Sequence, residues 1–142
     1  MKYMILPILL LTGCAAKMPP IVKGPVHEVS VAAEGLQKHV IFLDDTLMII
    51  IYSGDVKMAD INRAEDIGLY RLTADEPKGN LLLDSTQNYL IHFYSVAHGY
   101  PSFSTCGILA YIPANASKLI YSLQGRTCEL NILDSKDKTL EK

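Results

Sequence analysis

From Val26 onward, apolar residues of this chain alternate with polar ones, and turn residues interrupt the alternation at short intervals. Side chains of a β-strand point alternately to its two faces, so this period of two predicts strands. The predicted strands are one around Val29 and Val31 that ends at 33–35, followed by 36–43, 47–52, 67–72, 89–96, 106–112, 118–123 and 127–133. Many short strands with frequent turns predict an all-β fold: a small antiparallel β-sandwich, immunoglobulin-like, with a small β-barrel as the alternative.

Three segments differ from simple alternation. Leu47–Tyr52 is apolar at every position and rich in isoleucine, which predicts a central strand that is buried on both faces. Val56–Asp66 is predicted to be a loop or a short helix. Thr73–Asn80 contains Pro77 and Gly79 and predicts a connecting loop, and 81–83 is either a short strand or the start of the next element.

The composition excludes several classes of protein. Of 142 residues, 49% are hydrophobic and 20% charged, and 13 Lys and Arg stand against 15 Asp and Glu, a net charge of −2. These proportions exclude a collagen-like repeat, low-complexity disorder and a polybasic nucleic-acid binder. The length suits one small domain with its own core.

The first 25 residues carry the pattern of a secreted lipoprotein. Lys2 precedes an apolar run, Met4–Leu11, that is too short for a membrane span of about 20 residues and is typical of a signal peptide. Leu11-Thr12-Gly13-Cys14 resembles the lipobox of bacterial lipoproteins, which implies cleavage before Cys14 and acylation of its thiol. We therefore expect a signal peptide at 1–13, lipidated Cys14 with a flexible tether at 14–25, the β-sandwich domain at 26–133, and a charged tail at 134–142 that frays.

The expected location follows from the same segment. Two or more acyl chains anchor a protein stably to a membrane without a membrane-spanning helix. Ala15 follows the acylated cysteine, and by resemblance to enterobacterial lipoproteins this residue implies sorting to the periplasmic face of the outer membrane. Residues 16–25, with three prolines and a glycine, predict a partly extended tether.

With Cys14 acylated, Cys106 and Cys128 remain as a pair in an oxidising compartment, where disulfides persist. We predict one disulfide between them. Closing a loop of about 20 residues stabilises a fold by roughly 3 kcal/mol in the chain-entropy description. The alternative, a redox-active or metal-binding pair, lacks a Cys-x-x-Cys spacing and a second ligand pair.

The sequence shows no pattern typical of catalysis. The four histidines, His27, His39, His92 and His98, are scattered without zinc-ligand spacing. No serine lies in a Gly-x-Ser-x-Gly elbow, the glycines stand singly at turns, and the paired acids lie at predicted turns. We therefore expect a protein that is not an enzyme and that holds no cofactor and no metal.

Aromatic residues mark a candidate partner-binding segment. Residues 94–103 combine tyrosine, phenylalanine and histidine with Gly99 and Pro101, a composition that predicts an exposed loop. Tyrosine and phenylalanine are enriched in protein interfaces. The candidate partner-binding residues are Tyr94, His98, Tyr100 and Phe103; alternatively, Tyr100 and Phe103 fold back as a lid on the sandwich. The acidic segment Asp55–Asp66 either steers a basic partner or is a solvated loop.

The segment Leu119-Ile120-Tyr121-Ser122-Leu123-Gln124-Gly125-Arg126-Thr127-Cys128-Glu129-Leu130-Asn131-Ile132 resembles the end of the type VI secretion immunity lipoproteins of enteric bacteria. In that family a Tyr-x-Leu strand, an Asn-Gly-like turn and a final strand close the domain; here Gln124 replaces Asn, and Cys128 stands where an aromatic residue is commoner. The resemblance implies a protein partner, a secreted toxic effector whose active site the domain blocks. The resemblance does not indicate which residues of this chain bind the effector.

Two other interpretations compete with immunity. A pilotin-like lipoprotein that binds an outer-membrane secretion component has the same general features. The lipoprotein lysozyme inhibitors carry Ser-Gly-x-x-Tyr, but Ser53-Gly54 is followed by Asp55, Val56 and Lys57, so that pattern fails at its tyrosine.

Overall fold

The alternating segments form β-strands in the computed structural model, which describes residues 24–39, 43–97 and 103–140. Within these ranges there are eight strands and one short 3-10 helix. The strands are β1 (Val26–Glu34), β2 (Thr46–Ser53), β3 (Gly68–Thr73), β4 (Lys78–Asp84), β5 (Tyr89–Ala97), β6 (Phe103–Ile112), β7 (Lys118–Gln124) and β8 (Thr127–Leu133). The helix is Met58–Arg63, so the segment 56–66 contains a short helix.

The strands form two four-stranded sheets, ordered β4-β1-β7-β8 and β3-β2-β5-β6. The prediction of a small all-β sandwich is confirmed, and because the sheets do not close on each other the barrel alternative is wrong. Strands β1 to β6 pair as strands B, C, C′, E, F and G of an immunoglobulin domain do. β7 departs from that scheme because it runs parallel to β1.

The core lies between the two sheets. Every second residue of the central strands points inward, and Ile49, Ile51 and Phe93 from one sheet meet Val29, Leu119 and Leu130 from the other, all without solvent exposure. Fully burying side chains of this kind contributes about 1.5–3 kcal/mol each, which makes the core the main source of stability.

The predicted strand over 36–43 is wrong for the residues of it that are described, 36–39 and 43, which form a loop between β1 and β2. Local hydrogen bonds to Asp45, which is only 7% exposed, fix the backbone here in spite of the strand-like spacing of its apolar residues. The Asp45 carboxylate accepts from the Gln37 amide at 3.1 Å and contacts His39 Nε2 at 2.9 Å, and the Asp45 amide donates to the Gln37 carbonyl at 2.9 Å. These bonds tie Gln37 and His39 to Asp45, so the two residues do not pair with a neighbouring strand.

Two other predicted boundaries also move. The loop predicted for 73–80 ends earlier, because β4 begins at Lys78 and pairs with β1 up to Ala32. The tail does not fray over 134–140. The Leu140 amide donates to the Ile132 carbonyl at 2.7 Å, and the Leu140 side chain packs against the core, which anchors the charged segment to β8.

The chain enters the domain at one end of the sandwich. The Gly24 amide donates to the Asp84 carboxylate at 3.0 Å, and the Ser85 amide donates to the Pro25 carbonyl at 2.8 Å. The last residues of β1, β3, β5 and β7 all lie at the opposite end, as the registers of the strand pairs require. That end of the sandwich is therefore the one farther from Gly24.

Candidate functional site

The outer face of the β3-β2-β5-β6 sheet is mostly apolar and aromatic, and Arg71 is the one charged side chain among its described strand residues. We call this surface the tyrosine face. Its members are Met48, Ile50, Tyr52, Leu69, Leu90, His92, Tyr94, Val96, Leu109 and Tyr111. Most of them are partly exposed, although each lies in a strand of a continuous sheet.

The strand registers place these side chains in rows across the sheet. Ile50 lies between Leu69 and His92, and His92 is followed by Leu109. In the next row Arg71 lies beside Met48 and Met48 lies beside Tyr94, and Gly107 leaves the last position without a side chain. Neighbours in such rows are about 4.5–5.5 Å apart, so the apolar side chains form one contiguous surface.

One end of the tyrosine face is closed by a tyrosine. Tyr111 is 38% exposed, and its hydroxyl donates to the Val56 carbonyl at 2.8 Å. In the same row Leu90 has no exposure and Tyr52 only 9%, although both point away from the core. Burial, and secondarily the charge of Asp66, raises the pKa of Tyr52, so its hydroxyl stays neutral.

The centre of the tyrosine face contains an imidazole ring. The rings of His92 and Tyr94 lie 5.1 Å apart between centroids and are tilted by 41°. Burial lowers the pKa of His92 below its ordinary value of 6.5. At neutral pH the ring is therefore uncharged, and the middle of the face stays apolar.

The outer face of the other sheet has the opposite character. Its central strands expose Glu28, Ser30 and Glu34 from β1 and Ser122 and Gln124 from β7. Hydrophobic residues interrupt this polar surface at Ala32 and Ile120, and at Val26 and Leu82, which are 55% and 39% exposed. The two sheets thus share one core but differ outside it, which identifies the tyrosine face as the candidate binding surface.

The segment that resembles the immunity lipoproteins, residues 119–132, forms the β7–β8 hairpin, with Gly125 in its turn at a φ of +62°. No family model, curated protein or solved structure matches this chain. The resemblance therefore stays a prediction.

The structure brings only one of the predicted partner-binding residues into the tyrosine face. Tyr94 lies on its surface in β5, not in a loop, because β5 continues to Ala97 and β6 already begins at Phe103. The loop predicted over 94–103 is thus wrong at both ends. Phe103 is the first residue of β6, and only its backbone belongs to the described part of the structure. His98, Tyr100 and Cys14, the predicted lipidation site, lie outside the described residues.

The disulfide prediction is confirmed: Cys106 and Cys128 are bonded, with Cα atoms 6.0 Å apart. The strand that was predicted to begin at Cys106 begins at Phe103, so Cys106 is the fourth residue of β6. β7 and β8 belong to one sheet and β6 to the other, so the disulfide joins the two sheets at one side of the sandwich.

The described histidines contact different parts of the fold. His27 Nε2 lies 3.2 Å from the Ala116 carbonyl, His39 contacts Asp45, and His92 belongs to the tyrosine face. Among residues 24–39, 43–97 and 103–140, no three His, Cys, Asp or Glu side chains group as metal ligands. No helix in those ranges is long and apolar enough to cross a membrane.

Most of the tyrosine face was missed by reasoning from the sequence, although a signal was present. Leu47–Tyr52 is apolar at both odd and even positions, and the prediction assigned both faces of that strand to the interior. In a two-layer sandwich each sheet has only one covered face. The apolar residues that alternate with the buried ones, such as Ile50, therefore have to lie on the outer face.

Proposed function

We propose that this chain is a lipid-anchored binding protein of the outer membrane that neutralises a secreted toxic effector in the periplasm. One observation carries the binding role: the apolar and aromatic outer face of the β3-β2-β5-β6 sheet. Contiguous exposed apolar surface on a small domain is typical of protein-binding sites. The immunity role and the anchor at Cys14 are supported by the sequence patterns at 119–132 and 11–14.

The size of the tyrosine face indicates how a partner contacts it. Four strands about 4.8 Å apart and four rows of side chains cover roughly 400 Å². A stable interface buries about 800 Å² per partner, so the face supplies about half of that. Leu43, 70% exposed, lines a shallow cavity with Arg71 and Thr73, which belong to the outer face of β3. The partner therefore also contacts the β1–β2 loop.

The position of the tether agrees with this role. The chain reaches the domain at Gly24, and the β1–β2 loop lies at the far end of the sandwich. A partner that approaches from the periplasm would meet Leu43 and the adjoining tyrosine face without obstruction by the anchored end.

The test is capture of the partner by the full chain carrying a carboxy-terminal affinity tag in the host envelope. We expect one secreted toxin in stoichiometric amount, identified by mass spectrometry, and protection of cells against that toxin. Recovery of an outer-membrane secretion channel would overturn the immunity role in favour of the pilotin-like one.

Matched variants test whether the tyrosine face is the binding surface. Ile50 and Ile120 are both partly exposed isoleucines on central strands, one on each outer face. Ile50→Asp places a charge in the apolar face and should abolish capture and protection. Ile120→Asp makes the same change on the polar face and should leave both intact. Equal losses in the two variants would exclude the tyrosine face.

A further inference from the structure

Strand β6 is an edge strand with ten residues and no charged side chain, FSTCGILAYI. Exposed strand edges attract other strands, and proteins commonly protect them with charges. The other three edge strands carry such charges: Arg71 in β3, Lys78 and Asp84 in β4, and Glu129 in β8. Among residues 24–39, 43–97 and 103–140, β6 pairs only with β5, so its other edge is without charged side chains and without a partner strand.

The hydrogen bonds of the sheet show which β6 residues present their backbone to this free edge. The Ile51 carbonyl accepts from the Ile67 amide on the β3 side. The amide and carbonyl groups of successive residues point to opposite sides of a strand, so those of Ile50 point to β5 and bond to His92. By the same alternation, those of Ile91 and Phe93 point to β6. Their partners Ala110 and Ile108 consequently face β5. Residues 107, 109 and 111 then direct their amides and carbonyls outward.

The side chains on this edge leave the backbone accessible. Gly107 has no side chain, and the Tyr111 hydroxyl is bonded back to Val56 over its own sheet. Below 106 the register with β5 shifts at a bulge between Ser95 and Val96, and above 112 Pro113 has no amide hydrogen. The regular, open part of the edge is therefore 107–111, and its midpoint is Leu109.

We propose that a second copy of this chain pairs with β6 edge to edge, antiparallel, about a two-fold axis at Leu109. Leu109 would face Leu109 of the other copy, and Gly107 would face Tyr111. This gives about six backbone hydrogen bonds, two for each of three residue pairs. The absence of charge along β6 leaves this pairing free of like-charge repulsion. It joins two tyrosine faces into one surface on an eight-stranded sheet.

Cysteine cross-linking in cells that express the full chain tests this register. Opposed residues in a hydrogen-bonded antiparallel pair have Cα atoms about 5.5 Å apart, within reach of a disulfide. Leu109→Cys should therefore give a disulfide-linked dimer as the main species on a non-reducing gel. Tyr111→Cys is the matched control on the same edge: its two copies would lie roughly 13 Å apart along the strands and should not link.

A proline variant supplies a second readout. Leu109→Pro removes an outward amide and no bond to β5, as edge strands tolerate. In sedimentation of the full chain in detergent it should be monomeric, whereas Leu109→Ala, which keeps the amide, should remain a dimer. A monomeric wild type without a Leu109→Cys dimer overturns the proposal. Disulfide-linked dimers of Tyr111→Cys in the same amount as those of Leu109→Cys would overturn the register. A disulfide between Leu109→Cys and a different protein would overturn the self-pairing, because the edge would then bind a strand of that protein. None of these readouts requires the effector.

Discussion

The Tyr121 hydroxyl on β7 donates to Ser95 Oγ on β5 at 3.0 Å, across the interior of the sandwich. The same hydroxyl lies 3.2 Å from the Cys106 carbonyl, next to the disulfide. Burial raises the pKa of Tyr121, so the group stays neutral and keeps its proton for the bond. One polar contact and one covalent bond thus join the two sheets at the same place.

Tyr121→Phe should destabilise the fold by about 1 kcal/mol, because it removes a hydrogen bond that is buried between the two sheets. The free energy of unfolding in urea measures the effect. Tyr111→Phe is the matched control, since its hydroxyl bond is exposed, and should change stability by roughly 0.5 kcal/mol or less. Equal effects of the two substitutions would contradict a structural role for the buried contact.

Loss of the disulfide should lower the free energy of unfolding by about 3 kcal/mol, because Cys106 and Cys128, 22 residues apart, no longer restrict the unfolded chain. Urea denaturation with and without a reducing agent measures this difference. A variant with Cys106→Ser and Cys128→Ser should have the stability of the reduced protein and no response to reductant. A response in that variant would show that the reductant acts elsewhere.

Gly35→Ala should be far more harmful than Gly125→Ala, although both glycines have a positive φ. A Cβ on Gly35, at a φ of +89°, would overlap the Leu123 carbonyl, whereas a Cβ on Gly125 would meet nothing within 4 Å. We expect a loss of roughly 1 kcal/mol for Gly125→Ala from the backbone alone and at least 3 kcal/mol for Gly35→Ala. Thermal unfolding of both variants compares them, and similar melting temperatures would refute the steric argument.

Asp84→Asn should weaken the fold at neutral pH and have progressively less effect in acid. The Thr86 hydroxyl and amide, with the Gly24 amide, lower the pKa of Asp84 below 3.8. The stabilisation is therefore complete above the unfolded value of 3.8 and disappears as the pH falls through the lower folded value. Unfolding free energies between pH 7 and 2 test this. Asp60→Asn, on the exposed 3-10 helix, is the control and should show no comparable difference.

His92 should make the fold less stable as the pH falls below about 6.5. Its folded pKa is lowered by burial, so the unfolded chain takes up the proton first and is favoured from 6.5 down to the lower folded value. His92→Gln cannot take up this proton and should lose that part of the pH dependence. Urea denaturation of both proteins between pH 8 and 5 compares the slopes. Identical slopes would exclude a contribution from His92.

The sequence by itself determined the all-β class, most of the strands and the disulfide partners. Alternation with a period of two is a local property of the chain, and turn residues act within a few positions, so strands such as 118–123 and 127–133 were predictable. The strand expected at 36–43 failed for its described residues because Asp45 bonds to Gln37 and His39, a choice that apolar spacing does not encode.

Only the tertiary structure decided which apolar residues lie outside. Ile49 and Ile50 are adjacent and chemically identical, yet Ile49 is buried in the core and Ile50 lies on the tyrosine face. The difference depends on which side of β2 the second sheet covers, a contact between residues far apart in the chain. The free edge of β6 and the docking of Leu140 against the core depend on the same long-range packing, which acts beyond the few residues that a sequence pattern describes.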